Sequence, residues 1–194
     1  VKGYEKLMDE EIKSLVWLVE HSRIIKVYEE ASKWIKDIDY KVEDIEEFCY
    51  ELTNSERIPY FVPGPSGIYI SALCNQAKER EITLKLNDLE RPIHMLGYRL
   101  PKGKKLIIEG EMGDFMGVGM EGGELIIEGS ARNWTGAGMR DGKILVKKNV
   151  GYHTGEWMRG GEIWVEGGIR GLGKMIAGKI FDRGKDVIPF STQR

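Results

Sequence analysis

Leu106-Ile107-Ile108-Glu109 is followed nineteen residues later by Leu125-Ile126-Ile127-Glu128, and then by Ile144-Leu145-Val146-Lys147 and Ile163-Trp164-Val165-Glu166. Other columns keep the same register: Gly117, Gly136 and Gly155; Met120, Met139 and Met158; Gly123, Gly142 and Gly161. Phe115 sits over Trp134 and His153, and Met112 over Ala131, Val150 and Ile169. After Ile169 the register loses about two residues, and Gly178-Lys179-Ile180-Phe181 reads as a last, shortened copy. The back half of the chain, roughly Lys104 to Phe181, is therefore a repeat with a period of nineteen residues.

Several solenoids have periods in this range. The spaced Leu and Asn of a leucine-rich repeat are missing, and so are the half-length period and regular Asp of a calcium-binding roll. Short apolar tetrads separated by paired glycines fit a parallel β-helix, with strands on the sides of each coil and glycine at corners that need φ > 0. The expected fold class is α+β: an N-terminal helical segment, then a right-handed parallel β-helix of about five coils. Coils stacked about 4.8 Å apart would make a column roughly 24 Å long. Side chains alternate along a strand, so Leu106, Leu125, Ile144 and Ile163 should point inward together with Ile108, Ile127, Val146 and Val165. That leaves Ile107, Ile126, Leu145 and Trp164 as an outward apolar stripe, the candidate interface, covered either by the N-terminal helices or by another subunit.

The first part of the chain has a different composition. Before residue 57 there is a single Gly and no Pro; after it come 24 Gly and all six Pro. Leu7, Met8, Ile12, Leu15, Val16 and Val19 recur at helical spacing. Ile24, Val27, Ala31, Trp34, Ile35 and Ile38 do the same, and so do Val42, Ile45, Phe48, Cys49 and Leu52, with Asp39 as N-cap of that third helix. Tyr60 to Gly67 is a loop by its Pro and Gly, and Ser66 is positioned to cap a short helix through about Glu79. Ile82, Leu84 and Leu86 alternate as a strand. The chain divides into a helical segment 1–56, a linker 57–80 containing the short helix, the β-helix 81–182 and a tail 183–194.

Twenty-nine basic residues against 31 acidic ones leave no electrostatic footprint for nucleic acid, and no basic cluster is interleaved with aromatics. The longest apolar run, about six residues, is far too short to span a bilayer. No basic region followed by an apolar stretch opens the sequence, so a cytoplasmic protein is expected. Abundant Glu, Lys and Ile point to a thermophile. Cys49 and Cys74 read as buried thiols, not a disulfide framework, and two cysteines cannot hold an iron–sulfur cluster. His21, His94 and His153 share no metal-ligand spacing, and His153 takes an aromatic position in the repeat. Glu109, Glu128 and Glu166 form an outward ladder interrupted by Lys147, a solvated charged edge. The Pro-Gly-Pro-Ser-Gly run lacks the Lys and spacing of a phosphate loop. Gly117 and Gly119, repeated at Gly136 and Gly138, are corners, because no βαβ unit surrounds them. No catalytic, cofactor-binding or metal-binding residue is assigned.

The units GDFMGVGMEGGELIIEG (113–129), WTGAGMRDGKILVKK (134–148) and HTGEWMRGGEIWVEG (153–167) resemble the repeated GXGXG domain. That domain forms the C-terminal part of the glutamate synthase large subunit and one whole subunit of the archaeal formylmethanofuran dehydrogenases. The resemblance covers about Glu81 to Asp182 and is slightly closer to the dehydrogenase subunit. It implies a non-catalytic scaffold, with molybdopterin or tungstopterin, iron–sulfur or flavin chemistry residing in partner subunits. It supplies no counterpart for residues 1–56. Three functions follow: an accessory subunit of a multi-subunit archaeal oxidoreductase; a detached glutamate-synthase-type domain acting with glutaminase and flavin subunits; or a stand-alone homo-oligomeric binding protein.

Overall fold

A computed structural model describes residues 22–54 and 65–187. The helical pattern around Leu7 to Val19, the Tyr60–Gly64 part of the loop and the tail from residue 188 lie outside the described residues. Helix α1 covers residues 22–35, α2 Val42–Asn54 and α3 Pro65–Gln76. They precede β1 (Glu81–Lys85), β2 (Lys105–Glu109), β3 (Glu121–Ile127), β4 (Asp141–Val146), β5 (Asn149–Val150), β6 (Arg159–Val165), β7 (Gly168–Ile169), β8 (Ala177–Asp182) and β9 (Lys185–Asp186).

The fold is a β-solenoid of about four turns with a few helices. A seven-stranded sheet in the order β1-β2-β3-β4-β6-β8-β9 forms one side, parallel except for its last pair, and β5 and β7 form a short second sheet. Leu106 pairs with Leu125, Leu125 with Ile144 and Ile144 with Ile163, each a step of nineteen residues. The end steps differ, 24 from Glu81 to Lys105 and 17 from Ile163 to Ile180. Nineteen-residue spacing therefore holds in the middle of the stack, the last step is shortened by two residues as the sequence indicates, and the turns number about four where about five were expected.

Leu106, Ile108, Leu125, Ile127, Ile144, Val146, Ile163 and Val165 are each at most 1 % exposed, which makes them the spine of the core. Met120, Met139 and Met158 fill the space behind them and are fully buried. Burying each such side chain contributes about 1.5–3 kcal/mol. The corners are built by an alternation that the glycine spacing only partly reveals. Each turn places three residues, spaced two apart, at positive φ: Met95, Gly97 and Arg99; Phe115, Gly117 and Gly119; Trp134, Gly136 and Gly138; His153, Gly155 and Trp157. The first and third positions accept side chains, but the middle one is always Gly. A Cβ on Gly136 would collide with Ile163 Cδ1, and one on Gly117 with Ile144 Cδ1. The core isoleucine of the next turn occupies the space that a Cβ would need.

The described helices close the first end of the solenoid. An open strand edge would leave backbone groups unpaired and invite aggregation. On β1, Glu46 Oε2 accepts from the Lys85 N–H at 2.8 Å and the Tyr50 hydroxyl donates to the Lys85 carbonyl at 2.8 Å. These two side chains lie one helical turn apart on α2. α3 repeats the device at the corner of the same turn. Ser71 donates to the Met95 carbonyl at 2.9 Å and accepts from the Tyr98 N–H at 3.3 Å, while Asn75 donates to the Tyr98 carbonyl at 3.0 Å. Gly67 lets α3 approach this closely, since a Cβ there would collide with the His94 carbonyl. α2 packs on β1 and α3, so its place is the end of the stack and not the outward stripe expected for the helices. At the other end β9 folds back antiparallel on β8.

Three local expectations are corrected. The first turn of α2 is closed by Asp44, whose Oδ2 accepts from the Lys41 N–H at 2.7 Å, so the cap falls two residues after Asp39. Helix α3 runs from Pro65 to Gln76, so it stops before Glu79 and holds Ser66 within its first turn, not at its cap. In α1, Ala31 and Ile35 are buried and Tyr28 packs beside them, while Val27 and Trp34 face outward, Trp34 at 66 % exposure, and Ile38 lies exposed beyond the end of the helix. The buried arc turns toward Tyr28, whose ring meets Tyr98 edge-on at 5.3 Å.

Candidate functional site

On strands β1, β2, β3, β4, β6 and β8 the residues between the buried ones form three outward columns. The central one runs Thr83, Ile107, Ile126, Leu145, Trp164, Phe181 in direct register. The structure thus brings Ile107, Ile126, Leu145 and Trp164 into one line, with Thr83 and Phe181 as its ends. All six are half-buried. Neighbours along the line cover one another, and the Trp164 and Phe181 rings stack with centroids 3.8 Å apart.

The flanking columns carry a pattern that identity-based reading of the repeat passes over. On one side stand Glu81, Lys105, Glu124, Lys143, Glu162 and Lys179, each paired in register with the next. The alternation is complete, three carboxylates and three ammonium groups. Aligning the residue just before each tetrad exposes it. In-register parallel stacking puts equivalent positions about 4.8 Å apart, where like charges destabilise, so alternation converts a repulsive ladder into an attractive one. Lys105 bridges to Glu81 at 3.2 Å. Trp164 is tied into the same column: its indole N–H donates to Glu162 at 2.9 Å, and Lys143 Nζ lies 5.4 Å from the ring centroid. On the other side, Lys85 pairs with Glu109, and backbone bonds carry the column on through Glu128, Lys147, Glu166 and Arg183. Lys147 bridges to Glu166 at 3.2 Å, and Glu109 accepts from Asn87 at 3.3 Å. The carboxylate ladder is thus a nearly alternating column in its own right, with like neighbours only at Glu109 and Glu128.

The histidines lie elsewhere. His153 ends a stack with Trp134 and Phe115, at centroid separations of 5.0 and 4.9 Å and nearly parallel rings. Its Nδ1 is 3.2 Å from Oε2 of Glu156, a largely buried carboxylate that the sequence pattern does not single out. His94 begins a polar ladder. Its Nδ1 accepts from the Asp114 N–H at 2.8 Å, Asp114 Oδ1 from the Asn133 N–H at 2.9 Å, and Asn133 Oδ1 from the Tyr152 N–H at 2.9 Å. Each side chain bonds the backbone of the next turn, and burial holds the His94 imidazole below its ordinary pKa. Both ladders hold turns together. His21 lies outside the described residues.

Cys49 and Cys74 are buried free thiols. Burial pushes Cys49 up to about 12 and raises Cys74 as well, so neither is a ready nucleophile. Among the described residues no helix is long and apolar enough to cross a membrane, and no group of three or more His, Cys, Asp or Glu is placed to hold a metal ion. The outer sheet face combines an apolar centre with margins that each carry three acidic and three basic side chains. No family model, curated protein or solved structure matches the chain.

Proposed function

We propose that this chain is a non-catalytic scaffold, an accessory subunit that docks to a multi-subunit oxidoreductase and resembles the GXGXG subunit of the formylmethanofuran dehydrogenases. One observation supports this most. The residues of the GXGXG units serve the backbone: the glycines make room for the next turn's isoleucine, and the aromatics between them stack on one another. What remains for function is a flat face centred on Ile107, Ile126, Leu145 and Trp164, whose chemistry is that of a protein contact. In this reading the solenoid is right-handed, the protein is cytoplasmic in a thermophilic archaeon, and any pterin, iron–sulfur or flavin group belongs to other subunits.

The test is purification of the tagged full-length chain from its native host, followed by identification of what accompanies it. Subunits bearing molybdopterin or tungstopterin and iron–sulfur clusters are expected. Glutaminase and flavin-bearing chains in their place would assign it to a glutamate synthase system. Recovery of this chain alone would overturn the accessory-subunit reading.

A further inference from the structure

We propose that the outer face of the seven-stranded sheet is the contact between two copies of this chain, related by a two-fold axis parallel to the strands. The inference rests on the reading of that face as an interface and names its occupant.

A face-to-face pair of identical sheets admits two simple two-fold axes, and the charged columns discriminate between them. An axis parallel to the strands lays each column on its own reversal. Six strictly alternating charges are then self-complementary: Glu81 faces Lys179 of the second copy, Lys105 faces Glu162, and Glu124 faces Lys143. The even number of members makes this work, since reversing an odd alternating series would set like against like. An axis along the stack would instead lay this column on the other margin. Glu124 would then meet Glu128, Lys143 would meet Lys147, Glu162 would meet Glu166 and Lys179 would meet Arg183. These are four like-charged rows against the two opposite ones of Glu81 with Lys85 and Lys105 with Glu109, so that axis is disfavoured. Under the favoured axis the second margin sets Glu128 against Lys147 but Glu109 against Glu166 and Lys85 against Arg183, so it forms the hydrated rim of the contact. Over both margins four rows are opposite in sign and two alike.

The central column gives an independent argument. Its side chains are small at one end (Thr83), aliphatic in the middle (Ile107, Ile126 and Leu145) and aromatic at the other (Trp164 and Phe181). Reversal sets Phe181 on Thr83, Trp164 on Ile107 and Leu145 on Ile126. The two aromatics then meet the smaller side chains at the other end while Leu145 and Ile126, equal in size, meet at the centre, which suits the separation of about 10 Å that packed sheets adopt. Alternation of charge alone would be explained by stacking within one solenoid, but the size gradient would not.

The contact is small. Strands about 17 Å long stacked over about 24 Å give a projected face of about 400 Å² per copy. That is below the roughly 800 Å² per partner of standard interfaces, so association should be weak, with Kd on the order of 10–100 μM.

Sedimentation equilibrium of the full chain between roughly 1 and 500 μM at low salt measures this directly. A monomer–dimer equilibrium in that range is expected, weakening as salt is raised. Glu124→Lys and Lys143→Glu, each alone, should weaken it about tenfold, because each variant repeats its defect on both sides of the axis. An equimolar mixture of the two variants should dimerise again, since the replaced side chains of the two chains then face each other with opposite sign. Wild-type protein that stays monomeric throughout would overturn the proposal. So would single variants that dimerise unchanged, or a mixture that fails to recover. A monomer that still brings down pterin-enzyme subunits would remove this inference and leave the accessory-subunit reading intact. A dimer that brings down none would do the reverse.

Discussion

The inner and outer columns of this solenoid obey opposite rules. Inside, each position repeats its own kind: Ile on Leu on Ile, Met on Met, Gly on Gly. Outside, along Glu81, Lys105, Glu124, Lys143, Glu162 and Lys179, each position contradicts its neighbour. Both rules come from one geometric fact, that parallel in-register winding brings equivalent residues into contact. Dispersion and burial reward like shapes in contact, whereas Coulomb energy penalises like charges. This solenoid therefore copies its interior and alternates the sign of charge along the margin from Glu81 to Lys179.

The sharpest way to break the inner rule is Gly136→Ala. The added methyl meets both an unfavourable φ of 72° and a collision with Ile163 Cδ1, so a loss of about 2–4 kcal/mol is expected by chemical denaturation. Ile163→Val in the same chain should recover part of it, because the added Cβ regains room; strictly additive losses would remove the collision from the explanation. The outer rule is broken by Lys143→Glu, which sets a carboxylate between those of Glu124 and Glu162. It should cost a dilute monomer about 0.5–1 kcal/mol, less at high salt. An equal loss at every ionic strength would count against a charge origin.

Two smaller effects sharpen the comparison. Gly119 also has positive φ, but a Cβ there meets only the Tyr98 ring at 3.4 Å, an ordinary contact. Gly119→Asn should therefore change stability by less than about 1 kcal/mol, since Asn tolerates this conformation. The last test concerns His94, whose unprotonated Nδ1 accepts the Asp114 N–H. Its pKa is lowered in the folded protein, so over the window between the folded value and the ordinary value near 6.5 the unfolded chain binds more protons. Stability should then rise with pH through that window and be lost as pH falls through it, with no further change from His94 below the folded value. A His94→Gln variant should lack that component of the pH profile.

Legibility follows the same division. The inner columns can be read from Leu106, Leu125, Ile144 and Ile163 because identity repeats are what alignment detects. The last, shortened copy is legible too, and Ile180 does pair with Ile163. The alternating column is just as regular, but it repeats a role and not a residue type, so in the sequence it looks like unpatterned surface. The ladder of His94, Asp114 and Asn133 is hidden for the same reason: three different side chains perform one hydrogen bond. The caps on the first turn are beyond reach altogether. Glu46 with Tyr50 and Ser71 with Asn75 each occur once, and a pair four apart on a helix says nothing about the strand edge it will meet. Helical spacing puts Trp34 on the wrong face because the buried arc of α1 turns toward Tyr28, which the stripe of Ile24, Val27, Ala31, Trp34, Ile35 and Ile38 leaves out.

The alternating column has one more consequence, for how the chain winds. Interchangeable turns are a hazard during folding, because a turn can settle on the wrong neighbour and still bury its apolar residues. A chain that skipped one turn would lay Glu124 on Glu81, or Lys143 on Lys105, and each such mistake would meet repulsion at once. The apolar interior hardly distinguishes the correct turn from the next; the sign of the charge does, so the surface proofreads the order in which the core is wound.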